Sequence, residues 1–376
     1  MLERLPALAL SERAQVRRRA GQAMVPMRGV PMLPMPPHVV DVVSRAAPDV
    51  FPRDSRGSIT LKTAIAEHLQ EKFDLVVNPE RELLVTHGAQ HGLSVALRAL
   101  LVPGDEILIP APSYFFDGTV RLAGAVPRYV PSAESDGWRL PLDQLEAAIS
   151  PRVRAILLCN PNNPTGTVPT REELTVVLEL ARRHNLYVFA DESYERYVHE
   201  GPGYVPQMSL ADGYDRLVTL TSLSKNYAFT SWRVGYIHAK ADLIDIIHAA
   251  LEWDAINIGD IPQLAAAAAI SGPQEWLDRE FCTFRARRDL LLEGVAAAGL
   301  TVATPQAGIF AFVNFSPVGV VGIDLEERLL DVGITALSGD RFFGPGSCAR
   351  VLYGGTEPSL AQLGRQLKVL AHGTSA

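Results

Sequence analysis

The stretch Thr221 to Gly235, TSLSKNYAFTSWRVG, sets one lysine, Lys225, among small hydroxyl residues and places Arg233 eight positions later. Hydroxyls and a guanidinium suit a phosphate: both donate to its oxygens, and the guanidinium can do so through two parallel bonds. A lysine beside a phosphate has two readings. It can be a plain counter-charge, or it can hold an aldehyde cofactor as a Schiff base. The preceding run Arg216-Leu-Val-Thr-Leu reads as a short buried strand. Ser222 and Lys225 then fall at a strand's carboxyl end, where open α/β sheets bind their ligands.

Four other predicted strands end in the same manner. Leu83-Leu-Val-Thr86 runs into Gly88-Ala89-Gln90 at a helix start, where free backbone N–H groups make an anion site. Glu106–Ile109 leads to Pro112-Ser113-Tyr114, and Ala155–Cys159 to Asn160-Pro-Asn-Asn163-Pro-Thr-Gly166. Leu186–Ala190 leads to Asp191-Glu-Ser-Tyr194. Singly, each has an ordinary explanation: a Gly-Ala turn, a core tyrosine, a turn-rich loop, a capping aspartate. Together they bring a phosphate site, an aromatic plate, a carboxamide, a carboxylate, a phenol and a lysine to one sheet edge.

That set suits an electron-sink aldehyde cofactor. A pyridine nitrogen that must stay protonated needs a carboxylate partner, and Asp191 is the candidate. Asn163 and Tyr194 can donate to a ring phenolate oxygen, and Tyr114 offers a flat face for stacking. Lys225 would carry the cofactor at rest and, once displaced by substrate, move a proton as general base and acid. Asn163-Pro-Thr-Gly166, Asp191-x-x-Tyr194 and Ser222-x-Ser-Lys225 with Arg233 agree in order and spacing. On these residues the chain resembles the pyridoxal-phosphate-dependent aminotransferases of fold type I, class I/II, the aspartate/aromatic aminotransferase-like group.

The resemblance implies pyridoxal 5'-phosphate as cofactor, its phosphate cupped by Ala89, Gln90, Ser222, Ser224 and Arg233 beside Gly88. It implies that Arg350 grips the substrate α-carboxylate, with Gly29 and Asn163 lining the substrate pocket. Gly308-Ile-Phe310 resembles the family's small-domain strand. Family members are usually homodimers with sites at the subunit interface, and the partners implied are an amino acid and a 2-oxo acid. Some positions depart from the pattern. Pro52, preceded by Phe51, stands where relatives often have a tyrosine that reaches the neighbouring subunit's phosphate. Ser231 replaces a usual glycine, Met32 and Leu33 replace acidic and aromatic residues, and Ser338-Gly339 replaces a proline-glycine pair.

Three functional readings follow: an amino-acid aminotransferase; a lyase, decarboxylase or oxidase on the same scaffold; and a ligand-sensing regulator that keeps the cofactor without turnover. A regulator of that kind carries an added DNA-binding module, for which the proline-rich start leaves little room. Acid-specific relatives resemble one another in a second arginine for the distal carboxylate, supplied by the partner subunit. The corresponding Leu251-Glu-Trp-Asp-Ala-Ile-Asn257 has no arginine or lysine. Glu252, Asp254 and Asp117 would repel a side-chain carboxylate if they face the cleft. The expected donor therefore has a neutral or basic side chain, with Trp253 or Phe115 as apolar walls.

The elements that must position this chemistry are those of an α/β chain. Strands alternate with helices from Glu82 onward, giving a large domain with a mostly parallel sheet flanked by helices, plus a smaller α+β domain. We expect an N-terminal segment at 1–50 packing on the small domain, a large cofactor domain at 51–270 and a small domain at 271–376. The five prolines between Pro26 and Pro37 suggest that the first fifty residues are irregular and extended. Leu61, Ile65, Leu69 and Phe73 share one helical face, and Thr170 with Glu173 forms a capping box opening a helix to His184.

With 376 residues, 47% hydrophobic and 20% charged, the chain can bury a core for two domains sharing a cleft. A net charge of -7 argues against a nucleic-acid partner. The N-terminal apolar run is too short for a signal peptide, and no stretch is long enough to span a membrane. Cys159, Cys282 and Cys348 lack metal-ligand spacing, so we expect no metal and a reducing cytoplasm. Arg17-Arg18-Arg19 reads as a solvated helix face.

Overall fold

The computed structural model describes residues 4–26, 29–30, 33–51 and 54–372. A seven-stranded sheet has the order β1-β7-β6-β5-β4-β2-β3. Its strands are β1 (Leu83–Thr86), β2 (Glu106–Ala111), β3 (Val126–Pro131), β4 (Val153–Cys159), β5 (Tyr187–Asp191), β6 (Leu217–Ser222) and β7 (Gly235–Ala239). The strands β2 to β6 run parallel, whereas β7 is antiparallel to both β6 and β1. Two reversals cancel, so β1 points the same way as β6. The carboxyl ends of β1, β2, β4, β5 and β6 thus share one edge.

The central strands are continuous apolar runs because both faces are covered. Ile107, Leu157 and Phe189 pack with Leu93 and Ile244 on one face. Their neighbours Leu108, Ile156 and Val188 pack with Leu174 and Val177 on the other. This two-residue alternation is what a pleated strand imposes. The smaller sheet has four antiparallel strands in the order β10-β11-β9-β8: β8 (Thr301–Val302), β9 (Phe310–Asn314), β10 (Leu337–Ser338) and β11 (Cys348–Leu352). Ala311, Val313, Ala349 and Val351 pack one face of it against Leu291, Val295, Leu360 and Leu363.

The N-terminal region differs from its sequence expectation. It forms two helices, α1 (Pro6–Arg19) and α2 (Pro37–Ala46), each with proline in its first turn. Proline is harmless there, because the amide it lacks has no helical partner in any case. Only α1 packs on the small sheet, with Leu10 and Ala14 against Phe312 and Leu337. α2 packs instead on the helix Asp260–Ser271 beside the large sheet. Nor is the arginine cluster simply solvated: Arg17 pairs with Glu327 at 2.5 Å and Asp331 at 2.6 Å, while Arg13 reaches Glu326 at 2.8 Å. Helix α3 (Ile59–Phe73) and the Thr170–Glu173 capping box form as the sequence indicates. Met32 and Pro52, two of the departures noted above, lie outside the described residues. Among the described residues no helix is long and apolar enough to cross a membrane.

One close approach sets the geometry of the sheet edge. A Cβ on Gly235 would lie 2.6 Å from the Thr221 carbonyl, 2.7 Å from Gly88 Cα and 2.8 Å from the Ala89 nitrogen. Backbone crowds that position on three sides and cannot yield. Gly235→Ala should cost about 1–3 kcal/mol in denaturant unfolding, the usual penalty of overpacking. Gly118→Ala, where the methyl would meet open space, should stay within about 0.5 kcal/mol.

Candidate active site

The anion cradle is assembled first by backbone. Gly88 has φ 83°, a left-handed value, and hands the chain to α4 (Ala89–Leu100). A Cβ on Gly88 would stand 2.8 Å from Arg233 Nη2, so the missing side chain is what admits the guanidinium. Arg233 Nη1 donates to Ser224 Oγ and to the Thr230 carbonyl, both at 3.1 Å, and Nη2 to the His87 carbonyl at 3.4 Å. Ser222 Oγ accepts from the Ser224 N–H at 3.3 Å. The first amides of α4, two serines and a guanidinium therefore meet at one place, the donor set of a phosphate site. Gln90 stands in the same first turn, its amide nitrogen donating to the Thr119 hydroxyl.

Beside the cradle, Lys225 lies in the short turn Leu223–Asn226, and its Nζ donates to the Gly29 carbonyl at 3.4 Å. Burial, aided by the charge of Arg350, lowers the amine to about 8, against the opposing pull of Asp191. Asp191 ends β5, with Oδ1 accepting from the Ser193 N–H at 3.1 Å and the Ser193 hydroxyl at 2.5 Å. Burial raises the Asp191 pKa, while the Ser193 bonds and Lys225 draw it down. Tyr114 follows β2, its ring edge-on to Phe116 at 5.5 Å.

Asn163 links the two domains. Its Nδ2 donates to the Tyr194 hydroxyl at 3.1 Å, and its Oδ1 accepts from Arg350 Nη1 at 2.9 Å. Arg350, on β11, is sleeved by aromatic rings: its guanidinium carbon is 4.8 Å from the Phe342 ring centre, 5.6 Å from Phe115 and 5.7 Å from Phe310. Such rings favour a cation but leave its charge unneutralised. Among the described residues Arg350 has no ion pair, and its buried Nε has no hydrogen-bond partner. A carboxylate is the complement it lacks.

The structure thus brings Gly29, Gly88, Ala89, Gln90, Tyr114, Asn163, Asp191, Tyr194, Ser222, Ser224, Lys225, Arg233 and Arg350 to the same sheet edge and the cleft beside it. Two contributors escaped the sequence reading. Ser193, two residues past Asp191, fixes its carboxylate, and Phe342 holds Arg350. The paired aromatics in Arg341-Phe-Phe-Gly344 were the available signal for the second. The acids expected to repel a distal carboxylate are already matched within this chain. Asp254 pairs with His91 at 2.9 Å and Arg98 at 2.8 Å. Glu252 accepts from the Ser55 hydroxyl at 2.7 Å, and Asp117 pairs with Arg121 at 2.8 Å. Trp253 is 95% exposed and walls nothing in its own chain, whereas Phe115 is buried and stacks on Phe342 at 4.9 Å. Among the described residues no group of His, Cys, Asp and Glu could hold a metal.

The sheet order, the anion cradle and the lysine define a fold type I enzyme. A model of the family "aminotransferase class I and II" matches residues 52–367. The aspartate/prephenate aminotransferase of Thermus thermophilus is 30% identical over 360 residues, covering 94% of this chain and 92% of that protein. The arginine–pyruvate transaminase of Pseudomonas aeruginosa is 33% identical over 311 residues, covering 81% and 78%. The solved aspartate aminotransferase from Thermus thermophilus with maleate superposes with a TM-score of 0.92 at 29% identity, over 98% of this chain and 97% of that one. The chain belongs to the aminotransferase class I and II family and is a pyridoxal-phosphate-dependent aminotransferase.

The site's own residues fit that cofactor: a cradle of N–H, hydroxyl and guanidinium donors for its phosphate, a carboxylate for its ring nitrogen and an amine for its aldehyde. Only the neutral amine attacks an aldehyde, so the lowered pKa of Lys225 has a kinetic consequence. Pyridoxal phosphate added to cofactor-free protein should be captured at a rate that rises with pH, is half-maximal near pH 8 and is level above it. The growth of visible absorbance measures this. A rate still climbing at pH 10 would mean an ordinary, solvated lysine.

Proposed function

We propose that Lys225 attaches the cofactor and then shuttles the substrate α-proton, that Asp191 keeps the ring nitrogen protonated, and that Arg350 binds the α-carboxylate. When bound, pyridoxal phosphate supplies a sink for the electron pair left on Cα as the proton departs. The protein's part is to position and to tune. An amine near pKa 8 is partly neutral at physiological pH and can accept the α-proton, then return it elsewhere as a general acid. Arg350, braced by Asn163 and the aromatic sleeve, would orient the substrate through its carboxylate so that the Cα–H bond meets that amine. Tyr194 and Asn163 would donate to the ring oxygen, Tyr114 would stack on the ring, and the cradle of Gly88, Ala89, Gln90, Ser222, Ser224 and Arg233 would anchor the phosphate. The observation that carries this reading is the gathering of a desolvated amine and a serine-fixed carboxylate at one edge of the large sheet with an unpaired guanidinium supplied by the small sheet.

The substrates in this reading are an L-amino acid with a neutral or basic side chain and a 2-oxo acid. Support comes from residues 251–257, which offer no cation to a distal carboxylate. The relatives act on aspartate, prephenate or arginine by name, so their names leave the choice open. We also propose a homodimer: Trp253 and Ile256, on the segment that reaches the neighbouring site in relatives, stand exposed as association would use them.

Two variants test the roles. Lys225→Ala should purify without the visible cofactor band and turn over negligibly; normal turnover would reject the assignment. Asp191→Asn should fold and still hold cofactor through its phosphate, yet exchange the substrate α-proton on the order of a hundredfold more slowly or worse. Hydrogen exchange at Cα, followed by NMR, reads that step directly. An unchanged rate would leave Asp191 as a structural cap. Transamination itself is read from the amine form of the cofactor, which should accumulate with an amino acid and revert with a 2-oxo acid.

A further inference from the structure

A cavity of ≈ 260 Å³ lies between α1 and the small sheet, and none of the roles above uses it. Ala7, Leu10, Ser11, Ala14 and Arg18 line it as one stripe of α1, at the three- and four-residue spacings of a single helix face. Leu337, Leu352 and Arg350 line the opposite side. Leu337 is paired with Arg350 across β10 and β11, and directly paired residues share a sheet face. The floor of the cavity is therefore the face that carries the Arg350 guanidinium. It also adjoins the lysine: a Cβ on Gly29 would lie 3.5 Å from Leu352 Cδ1, and the Gly29 carbonyl accepts from Lys225. Two buried polar atoms of its lining residues, Thr335 Oγ1 and Arg350 Nε, lack hydrogen-bond partners.

We propose that this cavity receives the side chain of the amino donor and that α1 selects a neutral, largely apolar one, aromatic or long-chain aliphatic. The proposal rests on Arg350 taking the α-carboxylate, and it narrows the donor class given above. Size favours it: at roughly 30 Å³ per water-sized group, the space takes about eight or nine heavy atoms, enough for a phenylalanine side chain and more than a leucine or methionine needs. The room exists because Ala7, Ser11 and Ala14 are small. Charge favours it too. Among the described residues no carboxylate lines the cavity, so a lysine or arginine side chain would meet Arg350 and Arg18 without a counter-charge. Arg18, at the outer end, is exposed, and a solvated cation gives little to an acidic side chain. Arg13 and Arg17 fasten α1 to Glu326, Glu327 and Asp331 of the small domain, so carboxylate grip and side-chain wall form one unit.

The test is equilibrium binding of amine-free carboxylates to the cofactor-loaded protein by calorimetry, which needs no turnover. The probes are 3-phenylpropionate, propionate, succinate and 4-guanidinobutyrate. We expect 3-phenylpropionate to bind at least about tenfold more tightly than either probe with a second charge. Ala14→Phe, which fills the cavity, should weaken 3-phenylpropionate at least about tenfold and propionate less than about twofold. Ser11→Phe, at an exposed position where a larger side chain displaces no packed neighbour, should give the same pattern at about fivefold. The proposal is overturned if succinate or 4-guanidinobutyrate binds tightest, or if the variants weaken propionate and 3-phenylpropionate equally. Failure of the Arg350 assignment would register separately: Arg350→Gln would then bind propionate as tightly as the unaltered protein does.

Discussion

The site depends on taking one amine out of water. Lys225 sits where burial and the charge of Arg350 both oppose its protonation, and the carboxylate of Asp191 only partly compensates. An isolated buried ammonium is expensive, and a protein meets that cost by letting the group lose its proton. A lysine in that condition is a nucleophile and a base near neutral pH, whereas a solvated lysine is neither. The neighbouring groups follow from this requirement. In the proposed role Asp191 must serve a ring nitrogen, and the two bonds from Ser193 hold its carboxylate in place for that. Arg350 must be cationic, yet it is kept apart by phenyl rings that stabilise charge without cancelling it.

These demands explain why two domains are needed. The large sheet supplies an edge where five strand ends converge, which places the lysine, the carboxylate and the anion cradle with little freedom. The small sheet supplies Arg350 from a different direction, and Asn163 ties the two through one amide, its nitrogen to Tyr194 and its oxygen to Arg350. A carboxamide is suited to this because it donates and accepts at once. The N-terminal helix belongs with the second unit, clamped by ion pairs to the domain that carries Arg350.

Much of this was legible in the sequence, for physical reasons. Buried parallel strands are unbroken apolar runs, so Leu83–Thr86, Ala155–Cys159 and Leu217–Leu220 stood out, each with polar residues at its carboxyl end. In the large sheet two strands did not. Val126–Pro131 carries two prolines and is only partly buried, with both ends exposed, because it is an edge. Gly235–Ala239 follows the arginine so closely that nothing separates strand from loop, and its reversal is a matter of topology. The N-terminal helices were hidden by their prolines, which open each helix where proline usually ends one. Charge pairing was equally invisible: Glu252 and Asp254 read as free acids until the fold put Ser55, His91 and Arg98 beside them. Partners far apart in sequence leave no local trace.

The central claim is that the cofactor's covalent bond is made by Lys225 and by no other lysine. The chain offers only Lys62, Lys72, Lys240 and Lys368 as competitors. Borohydride reduction of the cofactor-loaded protein fixes the bond permanently, and peptide mass mapping then reports which side chain carries it. The account predicts the phosphopyridoxyl mass on the peptide containing Ser222 to Arg233, at Lys225, in stoichiometric yield. A reduced adduct on Lys62 or any of the others, with Lys225 unmodified, would contradict it.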